Sequence, residues 1–194
     1  MTQTKCDDCG RLVPGHDTVH YGSPERGYKD LCSACFNAHV AKRMGLDRFE
    51  NVRFDPVTLT DYRGEPHEFH LRVHLFGNGV SIHAFELKDG APAGYEFKVV
   101  GEPEADQLAL LGRLVEKIRR GLQLQHLERD ERGGLGIAEF VARGRITCDP
   151  EADDRLPVLV IDGQEIDWEQ FGRMLMTFEG WQFRLQILGM EEEA

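Results

Sequence analysis

At 194 residues, 41% hydrophobic and 29% charged, the chain has an ordinary globular composition, sufficient for one medium domain or two small ones. Its formal charge of −11, from 23 Lys+Arg against 34 Asp+Glu, disfavours nucleic-acid phosphates as a bulk partner. No apolar run approaches the ~20 residues of a membrane helix, and the opening MTQTKCDD lacks basic and apolar leader regions, so a cytoplasmic protein is expected.

Four of the five cysteines fall early, as Cys6-Asp7-Asp8-Cys9 and Cys32-Ser33-Ala34-Cys35, while Cys148 stands alone. Two residues between cysteines let one tight turn aim both thiolates at a single point. Two such turns supply the four ligands of a tetrahedral Zn²⁺, with Zn–S near 2.3 Å. Gly10 follows the first pair and can take the positive φ of a knuckle turn. A secreted disulfide scaffold would spread its cysteines, and four unrelated thiols or a redox dithiol would not need two matched pairs. One structural zinc on Cys6, Cys9, Cys32 and Cys35 is therefore expected. Four thiolates fill the coordination sphere, whereas catalytic zinc keeps a position open. His16, His20 and His39 lie nearby in sequence and read as neighbours of the site rather than ligands.

Between the pairs lie short β-like pieces, RLV and TVHY, separated by Pro14-Gly15, then the loop YGSPERGYKD. FNAHVAKRMG follows as a helix closed by Gly45. The order of knuckle, hairpin and ligand-bearing helix resembles the treble-clef class of zinc fingers, with its LIM-like and GATA-like modules, over residues 5–45. That resemblance implies Cys6, Cys9, Cys32 and Cys35 as ligands and a surface that recruits partners. The module holds six basic and five acidic residues, to which four thiolates and one Zn²⁺ add two negative charges. It lacks the basic stripe of groove-reading fingers.

After a connector ending near Pro56, VTLTDY, EFHLRVHLF, VSIHAFEL and GYEFKVVG read as an antiparallel meander. Taking Asn78-Gly79 as the hairpin loop puts His74 opposite His83 with His70 on the same face. This His70/His74/His83 face is the candidate second metal or acid–base site, against the plainer reading of packed or solvent-edge histidines. EPEADQLALLGRLVEKIRRG is the strongest helix, with Pro103 at its first position, Gly121 past its end, and a stripe of Leu108, Leu111, Val115, Ile118 and Leu122 widened by Leu110 and Leu114.

LERDERGGLG reads as a polar loop without a phosphate-loop pattern, and IAEFVARGRIT and LPVLVIDG as strands. The acidic run Asp149, Glu151, Asp153 and Asp154 between them reads as a solvated turn rather than a cation loop. Asp167 with Gln170 starts a helix carrying Phe171, Met174, Leu175 and Phe178; Gly180 ends it. WQFRLQIL reads as a closing strand and EEEA as a frayed tail. Cys148 has no basic partner or helix start in sequence and reads as a structural thiol. IDGQEIDWEQFGRMLMTFEGWQF, taken with GYEFKVVGEPEAD, resembles an uncharacterised bacterial family of zinc-finger-plus-α/β proteins, which implies no activity.

The expected fold is α+β: a treble-clef-like zinc module at 1–46, then an α+β domain at 47–194 with a mainly antiparallel sheet and two packed helices. The leading function is a non-enzymatic zinc-containing adaptor that binds another protein. A metal-dependent enzyme using the histidine face and a nucleic-acid-binding regulator are the alternatives.

Overall fold

A computed structural model describes residues 3–25, 27–131, 133–148, 156–189 and 192. It is α+β, with mostly antiparallel sheets and three α-helices among the described residues. The acidic turn Asp149, Glu151, Asp153 and Asp154, and most of the EEEA tail, lie outside the described residues.

The N-terminal module differs from the expected hairpin. β1 (Gln3–Lys5) pairs with β2 (Leu12–Pro14) around the first cysteine pair. A 3₁₀ turn at Gly15–Asp17 then separates β2 from β3 (Thr18–Ser23), which pairs instead with β4 (Gly27–Cys32). The stretch expected to be a loop thus supplies β4, and it delivers Cys32 to the start of α1 (Ser33–Met44). Gly45 closes α1 in the left-handed conformation at φ 70°, as its sequence position predicts.

The central sheet is a meander of β5 (Val57–Thr60), β6 (Pro66–Phe76), β7 (Gly79–Lys88) and β8 (Ala91–Gly101). Phe69, Val73, Leu75, Val80, Ile82, Ala84 and Val99 form its apolar face. α2 (Gln107–Leu122) covers that face with Leu110, Leu114, Ile118 and Leu122, while Leu108 is exposed. The stripe is centred on an i, i+4 row next to the one expected. Pro103 also lies ahead of the helix rather than inside it. Asp106 is the N-cap, accepting from the Leu108 and Ala109 amides at 2.9 and 3.3 Å, and a capped start outcompetes a proline one. Gly121 stays within the helix, which ends at Leu122.

β5 pairs with only residues 66–69 of β6. Beyond them the β6 edge is met by α1, through a side chain. Asn37 is 1% exposed; its amide donates to the Val73 carbonyl at 3.0 Å, and its carbonyl accepts from the Leu75 amide at 2.9 Å. One side chain thus stands in for the missing strand, satisfying backbone groups that would otherwise be buried unpaired. Ala41, with Val40, Met44 and Leu46, continues the seam into the main core. The N-terminal module is consequently docked on the sheet, not tethered beside it.

The C-terminal part holds its own core. β9 (Leu127–Arg129) and β10 (Leu135–Ile137) form a hairpin where a plain loop was expected. β11 (Gly144–Cys148), β12 (Pro157–Ile161) and β13 (Gln164–Asp167) form a three-stranded meander. IAEFVARGRIT is therefore not one strand: its middle turns through Ala138–Phe140, with Glu139 and Phe140 at positive φ. Asp167 caps α3 (Trp168–Met176) by accepting from the Gln170 amide at 2.6 Å, as expected. Leu127, Ile137, Ile161, Ile166 and Met174 make a second core, joined by Phe171 and Phe178, whereas Leu175 is exposed. WQFRLQIL pairs with no strand among the described residues and is not itself a strand.

Candidate metal centre

The first cysteine pair sits on a knuckle between β1 and β2. The Cys6 amide donates to the Arg11 carbonyl and the Gly10 amide to the Cys6 carbonyl, both at 2.9 Å, with Gly10 at φ 72°. That positive φ closes a turn tight enough to bring Cys9 back over Cys6. The second pair straddles the start of α1, Cys32 at the N-cap and Cys35 in the first turn. The Asp7 amide donates to the Asp30 carbonyl, and the Asp30 amide to an Asp7 carboxylate oxygen at 2.8 Å, so the knuckle is stitched directly to β4.

The four Sγ atoms all lie within 4.8 Å of one another, a grouping able to hold a metal ion. Sulfurs at the corners of a tetrahedron with 2.3 Å bonds would be about 3.8 Å apart. The Cys9 and Cys32 Sγ atoms are 3.9 Å apart. Cys6 and Cys32 are buried with Leu31, and Val13, Tyr21 and Phe36 close around them.

The surroundings favour thiolates. The Arg11 guanidinium donates to Cys9 at 3.5 Å and holds its thiol down at about 6. At Cys6, burial works against ionisation, but backbone amides including Cys32 N–H, at 3.3 Å, outweigh it and lower the thiol. Cys35 is pushed up, by burial first and then by the other three sulfurs. Four thiols this close cannot all ionise unless a cation offsets their mutual repulsion. Each Cys-x-x-Cys turn thus supplies donors that match a divalent cation.

Charged neighbours surround the knuckle. Asp8 accepts from Lys29 Nζ at 3.2 Å and pairs with His39 Nε2, and these two hold its carboxyl below the usual range, His39 foremost. His39 thus supports the Cys6–Cys9 loop and stays outside the cysteine cluster. His20 pairs with Asp30 at 2.9 Å, and the His16 ring meets the Gly90 carbonyl at 3.4 Å. Arg43 donates to the Tyr21 hydroxyl at 3.0 Å. Arg11, Lys29 and Arg43 are therefore engaged within the module.

The histidine face has a different register from the one expected. Phe76 pairs with Gly79, so the loop is Gly77-Asn78, His74 lies opposite Ser81, and Arg72 rather than His74 lies opposite His83. His70, His74 and His83 still share one face, because the slip keeps the side-chain alternation. Arg72 sits among them, donating to the His16 carbonyl at 2.6 Å. His74 packs edge-on against Phe36 of α1 at 4.7 Å; burial, then Arg72, Lys98 and His83, push its imidazole below the ordinary value. His70 pairs with Glu68 at 3.2 Å. His83 pairs with Glu96 at 3.1 Å, and Arg145 of β11 reaches the other Glu96 oxygen at 2.8 Å. Among the described residues, the four cysteines are the grouping close enough for a metal.

Glu96 joins the main sheet to the C-terminal part. Burial raises its carboxyl, but His83, Arg145 and Arg72 prevail and hold it below its ordinary 4.5. A depressed carboxyl contributes stability above its unfolded value, lost as pH falls through the folded one. Glu96→Gln should cost about 1–3 kcal/mol at neutral pH. That difference from wild type should shrink as pH falls below the ordinary 4.5 and vanish once Glu96 is protonated in both states. Urea denaturation at several pH values checks this; a cost that does not change with pH would remove the carboxylate from the junction.

An α+β chain with an N-terminal four-cysteine cluster is what fold and site together define. Three family models match it in succession, each a domain of unknown function: DUF7685 over residues 5–47, DUF7686 over 50–123 and DUF7713 over 126–192. Their limits fall at the end of α1 and just after α2, so they follow the module, the main sheet and the second core. No curated protein and no solved structure matches the chain.

Proposed function

We propose that this chain is a zinc-containing binding protein, in which one Zn²⁺ on Cys6, Cys9, Cys32 and Cys35 holds together a treble-clef-like module that α1 docks on the main sheet. The observation that carries this reading is the cluster of four Sγ atoms within 4.8 Å of one another, with the last two ligands at the start of a helix. Four thiolates complete a zinc sphere and leave no position for water, which favours a structural ion over a catalytic one. The proposed task is recruitment of a protein partner in the reducing cytoplasm, where such thiols persist. No described helix is long and apolar enough to cross a membrane.

Elemental analysis of purified protein should give one zinc per chain. Native protein should expose one reactive thiol, Cys148, which is exposed on β11, and four more after chelation and unfolding. Two equivalents of metal would move the His70/His74/His83 face forward as an enzyme site. Absence of metal would sink the reading. Micromolar binding to DNA or RNA that weakens steeply with salt would favour the regulator instead.

A further inference from the structure

The segment Trp181–Leu188 carries the largest unexplained feature of the molecule. Trp181, Phe183, Leu185 and Ile187 alternate along it and are 66%, 89%, 75% and 66% exposed. Eleven of the fifteen large hydrophobic side chains exposed among the described residues lie between Phe140 and Ile187. At about 150–250 Å² per aromatic side chain, Trp181 and Phe183 alone present roughly 250–400 Å². That is already comparable with the largest apolar patch of an ordinary monomer, ~300–600 Å².

The segment is anchored at both ends. Trp181 stacks on Phe140 at 5.5 Å and meets Phe178 at 5.9 Å, while Lys117 Nζ on α2 donates to the Glu192 carbonyl at 3.2 Å. Between these anchors, no described backbone hydrogen bond involves residues 182–188. The apolar alternation is that of a strand with one buried face, and no described strand pairs with it.

The same chain carries a sheet with a matching vacancy. Among the described residues, β11 is an edge of the β11–β12–β13 meander. Its Ile146 shares a face with Leu159 and Ile166, the face that α3 covers further along, yet Ile146 is 57% exposed. Edge strands are ordinarily protected by charged side chains, above all lysine, or by proline. Trp181–Leu188 and Gly144–Cys148 contain no lysine, proline or acidic residue; their single charges, Arg184 and Arg145, alternate with the apolar positions, and Arg145 is already engaged by Glu96. A foreign partner would need to supply both a strand edge and an apolar face. A second copy supplies both, and a two-fold exchange satisfies each vacancy with one operation.

We propose that Trp181–Leu188 is a dimerisation strand, added in a two-fold dimer to the open β11 edge of a second copy, where its four apolar side chains extend the core face beyond Ile146. This rests on observations separate from the cysteine cluster and stands whether or not that cluster holds zinc.

Light scattering after size exclusion of the full chain tests it. Wild type should weigh twice the 22.0 kDa of one chain. Phe183→Asp with Leu185→Asp, on the strand, and Ile146→Lys, on the edge, should each weaken dimerisation at least about a hundredfold, as removal of central anchors does. Both sites are exposed in the single chain, so circular dichroism and metal content should be unchanged. Mixing the two variants should restore a heterodimer, because one intact strand–edge junction remains. Truncation after Gly180 provides the same loss of dimer should the double aspartate variant fail to fold. A wild-type monomer at ~100 μM, far above the affinity of a standard-sized interface, overturns the proposal. A dimer that survives either substitution, or variants that do not complement, overturns it as well.

Discussion

Strong chelation should abolish amide protection across β1–β4 and the first turn of α1 while leaving α2 fully protected. The apolar cluster of this module is Cys6, Leu31 and Cys32, with Val13, Tyr21, Ala34, Cys35 and Phe36 around it. Below about 40 residues a core of that size seldom holds a fold without a staple. Zinc contributes roughly 10–16 kcal/mol in finger peptides, far more than so small a core can replace. Hydrogen exchange after strong chelation should therefore accelerate at least about a thousandfold in residues 3–32, equivalent to a loss of ~4 kcal/mol or more. The second half of α1 should behave differently, because Ala41, Val40 and Met44 belong to the main core. Intermediate protection is expected there. α2 packs Leu114, Ile118 and Leu122 at 0% exposure against the sheet and has no cysteine near it. Cys9→Ser and Cys35→Ser should reproduce the effect of chelation. Unchanged N-terminal protection in metal-free protein would remove the staple and bring a redox role for the thiols to the front.

Asn37→Ala should lower the unfolding free energy by about 2–4 kcal/mol, a large effect for a polar residue on a helix. The substitution leaves the Leu75 amide and the Val73 carbonyl facing an apolar seam, and each orphaned group costs roughly 1–3 kcal/mol. Asn51, which also bonds to Asn37 and donates to the Ala34 carbonyl at 2.6 Å, is exposed, so Asn51→Ala should cost less than about 1 kcal/mol. Asn37→Asp keeps an acceptor for the Leu75 amide but turns a carboxylate oxygen toward the Val73 carbonyl, and it should also destabilise. Urea denaturation gives the energies, and exchange at the Leu75 amide locates them. Equal, small losses for Asn37→Ala and Asn51→Ala would mean that apolar packing alone docks the module.

Sequence by itself determined what depends on neighbours along the chain. Two Cys-x-x-Cys spacings marked the four cysteines that the fold clusters, because each pair needs only its own turn to converge. Gly45 and Asp167 marked a helix end and a helix start through local backbone chemistry. The alternation of EFHLRVHLF marked a two-sided strand. Asp89-Gly90 and Asp162-Gly163 were also legible, since Asp-Gly with φ of 55° and 84°, and of 48° and 70°, is a two-residue hairpin signal. Reading the second would have found β13. Register was not legible: Asn78-Gly79 is the stronger local hairpin signal, yet Phe76 pairs with Gly79 and the loop is Gly77-Asn78, in a sheet where β7 is paired on both sides by β6 and β8. Nor was Asn37: α1 alone presents it as an ordinary polar position, and its role exists only because β5 stops at the fourth residue of β6. For the same reason WQFRLQIL has the pattern of a strand without being one. Alternation specifies which face a strand would bury, but the hydrogen-bonding edge that makes it a strand must come from elsewhere in space.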